Sequence, residues 1–167
     1  QFTFLLSLKR VTVNKLSVPF GNYNGSVWTL VIQWNVDNSI TLYLKASGVN
    51  KTLISTTNHN STSIFYHFAF VVDGVTPANS KIYLNDVDIT STNTLASNTD
   101  SLANNFVIGN LGNGTTSSDG YYLLTSLISR VLTTAELTDY YNLGKPKSPQ
   151  TLFGTDCKML LTANGTG

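Results

Sequence analysis

Apolar and polar residues alternate along most of this chain, at the spacing of two that a half-buried β-strand imposes. Phe2, Phe4, Leu6 and Leu8 fall on one face of the opening stretch. Trp28, Leu30, Ile32 and Trp34 do the same between Val27 and Trp34, and a turn at Asn35-Val36-Asp37-Asn38 leads into Ile40, Leu42 and Leu44. Together these predict a hairpin with one apolar side. From Ile64 to Val72 the alternation places Phe68, Phe70 and Val72 together and His67, Ala69 and Val71 opposite. After Lys81 to Leu84, the pair Asn85-Asp86 tolerates positive φ and predicts a tight hairpin. Leu102 to Gly109 and Tyr121 to Arg130 supply two more strands on either side of the Gly-rich stretch Asn110 to Gly120. One short helix is indicated near residues 133–143, where Thr133 and Glu136 make a capping box and Gly144 supplies the stop. The fold class predicted is all-β, a two-sheet antiparallel β-sandwich of jelly-roll type. Its expected core is Phe2, Phe4, Trp28, Leu30, Ile32, Phe68, Phe70, Ile82 or Tyr83, Val107 and Ile128, with Trp34 beside them.

Composition narrows the partners. Charged residues make up 11% of the 167, against about a quarter in ordinary soluble domains, and the net charge is +1. Nucleic acid, which calls for a basic stripe, is not an expected partner. Ser, Thr and Asn supply the polar surface instead, as in Thr90 to Thr99, a composition that points to an extracellular or virion-surface β protein. Cys157 is the single cysteine, so no internal disulfide forms. No apolar run reaches the ~18 residues of a membrane span, and no stretch reads as a signal peptide. Asn-x-Ser/Thr triplets at Asn24, Asn50, Asn60, Asn113 and Asn164 are what chance gives in a chain this rich in those residues.

The order of pieces from residue 65 to 143 carries a resemblance. Phe65-Tyr66-His67-Phe68-Ala69-Phe70-Val71-Val72-Asp73-Gly74 is followed by Lys81-Ile82-Tyr83-Leu84-Asn85-Asp86, then Asn105-Phe106-Val107-Ile108-Gly109, then Ser129-Arg130-Val131-Leu132-Thr133-Thr134-Ala135-Glu136-Leu137. This resembles the laminin-G-like and pentraxin-like branch of the concanavalin A-like lectin/glucanase superfamily. The resemblance implies a lectin-type sandwich over residues 1–145, with residues 146–167 a Pro-containing spacer and a terminal strand. Lys158 to Gly167 looks like the opening strand of that family. Either it closes the same sandwich, or it starts a following repeat.

The superfamily's retaining glucanases place paired carboxylates on one strand about 5 Å apart. Here the nearest approach is Asp86 and Asp88, which flank a polar hairpin turn, and the only Glu is the capping Glu136. With His59 and His67 the only histidines and no Gly-x-Ser-x-Gly elbow, no catalytic residue is assigned. Many relatives hold Ca²⁺ through acidic residues after a Gly turn, but Leu123 and Leu124 stand at those positions. Asp73 and Asp119 are the carboxylates left for a weaker site, and no cofactor is expected.

Recognition by loops remains. A sugar needs an aromatic face for its ring and amides or carboxylates for its hydroxyls. The candidate ligand residues are Asn58 and His59 in one loop, Asn110, Asn113 and Asp119 in the Gly-rich loop, and Tyr121 and Tyr122 just after it. Gly21-Asn22-Tyr23-Asn24 is a third supply, while His67, Trp28 and Trp34 read as packing residues. The expected function is a non-catalytic carbohydrate-binding or adhesion module of a larger surface or virion protein, with a glycan or cell-surface polysaccharide and other domains or subunits as partners. The alternative is a structural decoration module on a capsid or filament, in which a protein partner buries Tyr43, Tyr83 and their outer-face neighbours.

Overall fold

The computed structural model describes residues 1–23, 28–56, 59–97, 99–100, 106–109 and 120–162. These form two antiparallel sheets of six strands each. One contains β1 (Phe2–Arg10), β6 (Tyr66–Val72), β7 (Lys81–Leu84), β8 (Val87–Asp88), β11 (Gly120–Ile128) and β12 (Cys157–Thr162), in the order β12-β11-β1-β6-β7-β8. The other contains β2 (Ser17–Tyr23), β3 (Trp28–Trp34), β4 (Ile40–Ala46), β5 (Val49–Ser55), β9 (Thr90–Asn93) and β10 (Phe106–Ile108), in the order β10-β2-β3-β4-β5-β9. The jelly-roll sandwich expected from the alternation is what the chain adopts.

The space between the sheets is filled by the even-numbered faces that the pattern marks. Phe4, Leu6 and Leu8 of β1 meet Phe68, Phe70 and Val72 of β6, and against them lie Leu30, Ile32 and Trp34 of β3 with Ile40, Leu42 and Leu44 of β4. Ile82 joins this layer. The Arg10 guanidinium closes one end: it is 1% exposed, stacks 4.5 Å from the Trp34 ring centroid, and donates to Asn38 Oδ1 and the Lys15 carbonyl. Burying a cation without such partners would cost several kcal/mol, on the order that desolvation of an ion sets.

The first sheet is covered on its outer face as well. Leu5, Ala69, Val71, Leu124 and Ile128 pack beneath α1 (Thr134–Tyr141) and α2 (Pro149–Phe153), meeting Leu132, Leu137, Tyr140 and Phe153. This two-sided burial explains the near-continuous apolar runs of β1 and β6, which simple alternation does not require. Polar residues caught on the same face are paired. Thr3 Oγ1 donates to the Arg130 carbonyl and accepts from Leu132 N–H, and Ser7 Oγ lies 2.7 Å from His67 Nδ1.

Helix α1 has the expected capping box at Thr133 and Glu136, but it ends at Asn142, which takes the left-handed conformation two residues before Gly144. Arg130 donates to both Glu136 oxygens and to Asp156 Oδ2, and this pairing holds the Glu136 carboxyl down at about 2. A second helix, α2, corrects the expectation of a single one. Pro149 reads as a breaker in sequence, yet at the first helical position its missing N–H costs nothing. Strand β12 pairs antiparallel with β11 at the sheet edge. Asn85 and Asp86 both have positive φ, as a tight β7–β8 turn demands.

Three residues expected between the sheets lie elsewhere. Ile128 belongs to the layer beneath the helices. Val107 pairs with Gly21, which turns it outward and leaves Phe106, stacked on Phe20, and Ile108 to face the core. Trp28 is the third, for the reason given below.

Phe70 is fully buried between Phe4 and Ile82 in the register, so Phe70→Ala should lower unfolding free energy by about 3–5 kcal/mol in urea titrations. A loss under about 1 kcal/mol would contradict this core. Acid should also weaken the fold. Burial holds His59 and His67 below the ordinary histidine pKa, with the Arg10 cation adding to the effect at His59. The unfolded chain then binds more protons, so stability is full above about pH 6.5 and declines as the pH falls below it. Thermal melts across that range should show Tm falling on acidification, and His59→Phe should flatten part of the slope.

Candidate functional site

The site is built around a break in alternation. β2 and β3 run in simple register from Phe20 opposite Ile32 to Asn22 opposite Leu30, and then slip, so that Tyr23 stands opposite Trp28. The extra residue is a β-bulge, and Asn22 fills it. Its Oδ1 accepts from the N–H groups of Thr29 and Leu30 at 3.0 and 2.7 Å, and its Nδ2 donates to Thr29 Oγ1 at 2.7 Å. Asn22 is 0% exposed. One residue of slip inverts the face of whatever follows it. Trp28 therefore leaves the face of Leu30 and Ile32 and stands on the outer side of the sheet, which corrects its assignment to the core.

There it meets the odd-numbered residues of β3 and β4. Gly21, Val31 and Tyr43 are directly opposite one another across β2, β3 and β4, and so share the outer face. Gly21 brings no side chain to that row, and Val31 beside it is only 3% exposed. The Tyr43 ring approaches Trp28 edge to face, with centroids 5.9 Å apart, and Lys45 Nζ lies 5.0 Å from the Trp28 centroid. Trp28, Val31, Gln33 and Tyr43 line an open depression of about 240 Å³. Gln33 Nε2 donates to Asn35 Oδ1 at 2.7 Å, which orients the amide and leaves Oε1 as an acceptor. Asn35 is anchored in turn on the hydroxyls of Ser39 and Thr41. An aromatic wall, a phenol, an amide and an ammonium thus converge on an apolar floor. Among the described lining residues none is a carboxylate, a histidine, a serine, a threonine or a cysteine.

The residues chosen from the sequence fall differently. Asn58, Asn110, Asn113 and Asp119 lie outside the described residues. His59 is buried, in edge contact with the Tyr66 and Phe68 rings, where it packs the core. Tyr121 is 60% exposed, whereas Tyr122 on the opposite side of β11 packs against the core between the sheets. Lys9 Nζ lies over both the Tyr121 ring and the Phe65 ring, at 5.2 and 5.7 Å. The start of β11 is held close to β1 because Gly120 has no side chain: a Cβ there would stand 2.7 Å from the Lys9 carbonyl oxygen. Gly21 and Asn22, read as loop residues, lie inside β2.

Asp73, a candidate metal ligand, is engaged through Oδ1 by its own turn. Its Oδ1 accepts from Val75 N–H, Thr76 N–H and Gln1 Nε2, and these donors, the Thr76 amide first, pull its pKa down to about 2. Donors converging on a carboxylate occupy the lone pairs that a cation would use. Among the described residues no three His, Cys, Asp or Glu side chains cluster as a metal site would require, and no helix is long and apolar enough to cross a membrane.

With this geometry established, the chain can be placed among known proteins. The Laminin_G_3 profile, of the concanavalin A-like lectin/glucanases superfamily, matches residues 7–138, and the chain belongs to that family. Among solved structures it is similar to a Bacteroides ovatus ATCC 8483 protein described as carbohydrate-binding, at 15% identity and TM-score 0.70, covering 99% of this chain and 46% of that one. It is also similar to the heptameric SAP-like pentraxin of Limulus polyphemus, at 18% identity and TM-score 0.65, covering 99% and 80% of the two chains. A third is the CBM40 of Ruminococcus gnavus IT-sialidase bound to α2,3-sialyllactose, at 16% identity and TM-score 0.61, covering 83% and 80%. A search of curated proteins finds no match. The likenesses to these three structures establish the fold.

The bulge is open to a direct test. Asn22→Ala removes the acceptor for two buried amides, which should cost about 1–3 kcal/mol for each group left unpaired. Trp34 is fully buried, so iodide quenching of tryptophan emission reports mainly on Trp28. Quenching should change in Asn22→Ala. Stability and quenching both equal to wild type would mean that another interaction sets the bulge.

Proposed function

We propose that this chain is a non-catalytic carbohydrate-binding module of a larger surface or virion protein, and that its ligand lies on the outer face of the second sheet against Trp28 and Tyr43. The observation that carries the reading is the displaced tryptophan. A buried asparagine is used to hold an indole outside the core, beside a tyrosine and an oriented amide. Large rings take up apolar area more favourably inside than out, so a half-exposed pair maintained by a dedicated bulge suits a ligand whose own apolar face completes the burial. A pyranose has such a face, with hydroxyls at its rim for Gln33 Oε1, the Tyr43 hydroxyl and Lys45.

The names of similar structures support the same class, since they include a carbohydrate-binding protein and a sialidase-borne module bound to a sialylated sugar. Paired carboxylates, as a retaining glycoside hydrolase would use, are not found among the described lining residues, which favours binding over hydrolysis. Tyr121, one of the candidate ligand residues of the sequence, forms with Lys9 and Phe65 a second exposed aromatic surface on the other sheet.

A glycan array probed with the isolated chain, followed by titration of the strongest hit, tests both surfaces. Trp28→Ala and Tyr43→Ala should each weaken binding by about 1–3 kcal/mol while moving Tm by about 3 °C or less, as substitutions outside the core do. Loss in Tyr121→Ala with Trp28→Ala unaffected would transfer the site to the β11 rim. No glycan bound at all would favour the structural module instead.

A further inference from the structure

The cation above the indole defines the ligand more closely. We infer that the Trp28–Tyr43 surface is selective for acidic saccharides, with Lys45 pairing with a carboxylate or sulfate on the sugar. The inference rests on the carbohydrate-binding reading above.

Lys45 lies on β4 with Tyr43, on the outer face, and its ammonium stands over the Trp28 ring. The described carboxylates are engaged elsewhere. Asp88, Glu136, Asp156 and Asp139 pair with Lys81, Arg130 and Lys147. Asp37 accepts from the Ser39 N–H and hydroxyl in the turn before β4. Asp100, whose N–H donates to the Lys45 carbonyl, spends both carboxylate oxygens on the Ser47 and Gly48 amides. Asp73 is taken up by its own turn and Asp86 lies in the β7–β8 turn of the other sheet. What faces Lys45 is therefore an indole, and a cation–π contact of this exposed kind is worth only about 0.5–1 kcal/mol.

A neutral sugar approaching that side of Trp28 must displace the ammonium and offers hydroxyls in return. An acidic sugar keeps the cation at the site through a charge-assisted hydrogen bond, roughly twice as strong as a neutral one. Selectivity follows from the difference. Gln33 Oε1 and the Tyr43 hydroxyl then meet the uncharged hydroxyls of the same residue, and the Val31 floor limits how deep it sits.

The test uses pairs of a charged sugar and its neutral counterpart: oligogalacturonate against its fully methyl-esterified form for the carboxylate, and a κ-carrageenan oligosaccharide against its desulfated form for the sulfate. Binding of each to wild type, Trp28→Ala, Lys45→Gln and Lys45→Arg is measured calorimetrically at low and high NaCl. The expected result is that the charged member of at least one pair binds tenfold or more tighter, that added salt erodes the difference, that Lys45→Gln brings it within twofold, and that Lys45→Arg keeps it. Which pair responds tells carboxylate from sulfate. Equal binding of charged and neutral members, or a preference that survives in Lys45→Gln, overturns the acidic selectivity while leaving the glycan reading in place. Binding indifferent to Trp28→Ala, or no binding by any sugar on the array, overturns the site itself.

Discussion

The constraint on which this structure depends is the parity of its strands. In a sandwich of two antiparallel sheets, each side chain is committed to the inside or the outside by its position in the ladder, and a neighbour's register transmits that commitment across the sheet. Leu30, Leu44 and Lys51, or Val31, Tyr43 and Thr52, are rows of this kind. Once Phe4, Phe68, Phe70 and Ile32 are sealed between the sheets, the outer-face rows are fixed without any interaction of their own. The one described place in β3 where the commitment is reversed is the bulge at Thr29, and the reversal requires a fully buried polar side chain to satisfy the amides it frees.

The two sheets use parity differently. The first is covered twice, by the facing sheet and by α1 and α2, so its outer rows became a second apolar layer with Thr3 and Ser7 as its polar ties. Arg130 ties the same side together, joining the end of β11 to the cap of α1 and to the turn before β12. The second sheet carries Trp28, Val31, Gln33 and Tyr43 around an open depression. The outer faces are thus used differently: one carries the chain's own helices, the other an open depression lined by aromatic and amide side chains.

Most of the fold was legible because alternation is a local signal. Phe4, Leu6 and Leu8, or Phe68, Phe70 and Val72, sit where a period of two puts them, and Thr133 with Glu136 announces its helix by a contact only three residues long. The candidate site was much less legible. Period two carried straight through Thr29 and placed Trp28 inside, because the bulge is set by Asn22 across the ladder, a partner that alternation within one strand cannot see. An asparagine amid Phe20, Gly21 and Tyr23 was the available signal, a polar residue where a strand's inner face was due, but it read as a loop. Helix α2 was missed for a similar reason, since Pro149 marks a break until its place at the first turn is known. His59 was misplaced because it read as an exposed loop residue, whereas the chain folds it back against the Tyr66 and Phe68 rings of the following strand β6.

The row of Gly21, Val31 and Tyr43 has a further meaning for how such a protein changes over time. Tyr43 stands outside the core cluster and can be exchanged without repacking Leu30, Leu42 or Phe20 behind it, whereas Val31, almost fully buried, is closed in. Shortening Tyr43 therefore reshapes the depression in a single step at small expense to folding. The outer surface at Tyr43 and Gln33 can therefore vary through intermediates that remain folded, so long as Asn22 holds the bulge beneath Trp28.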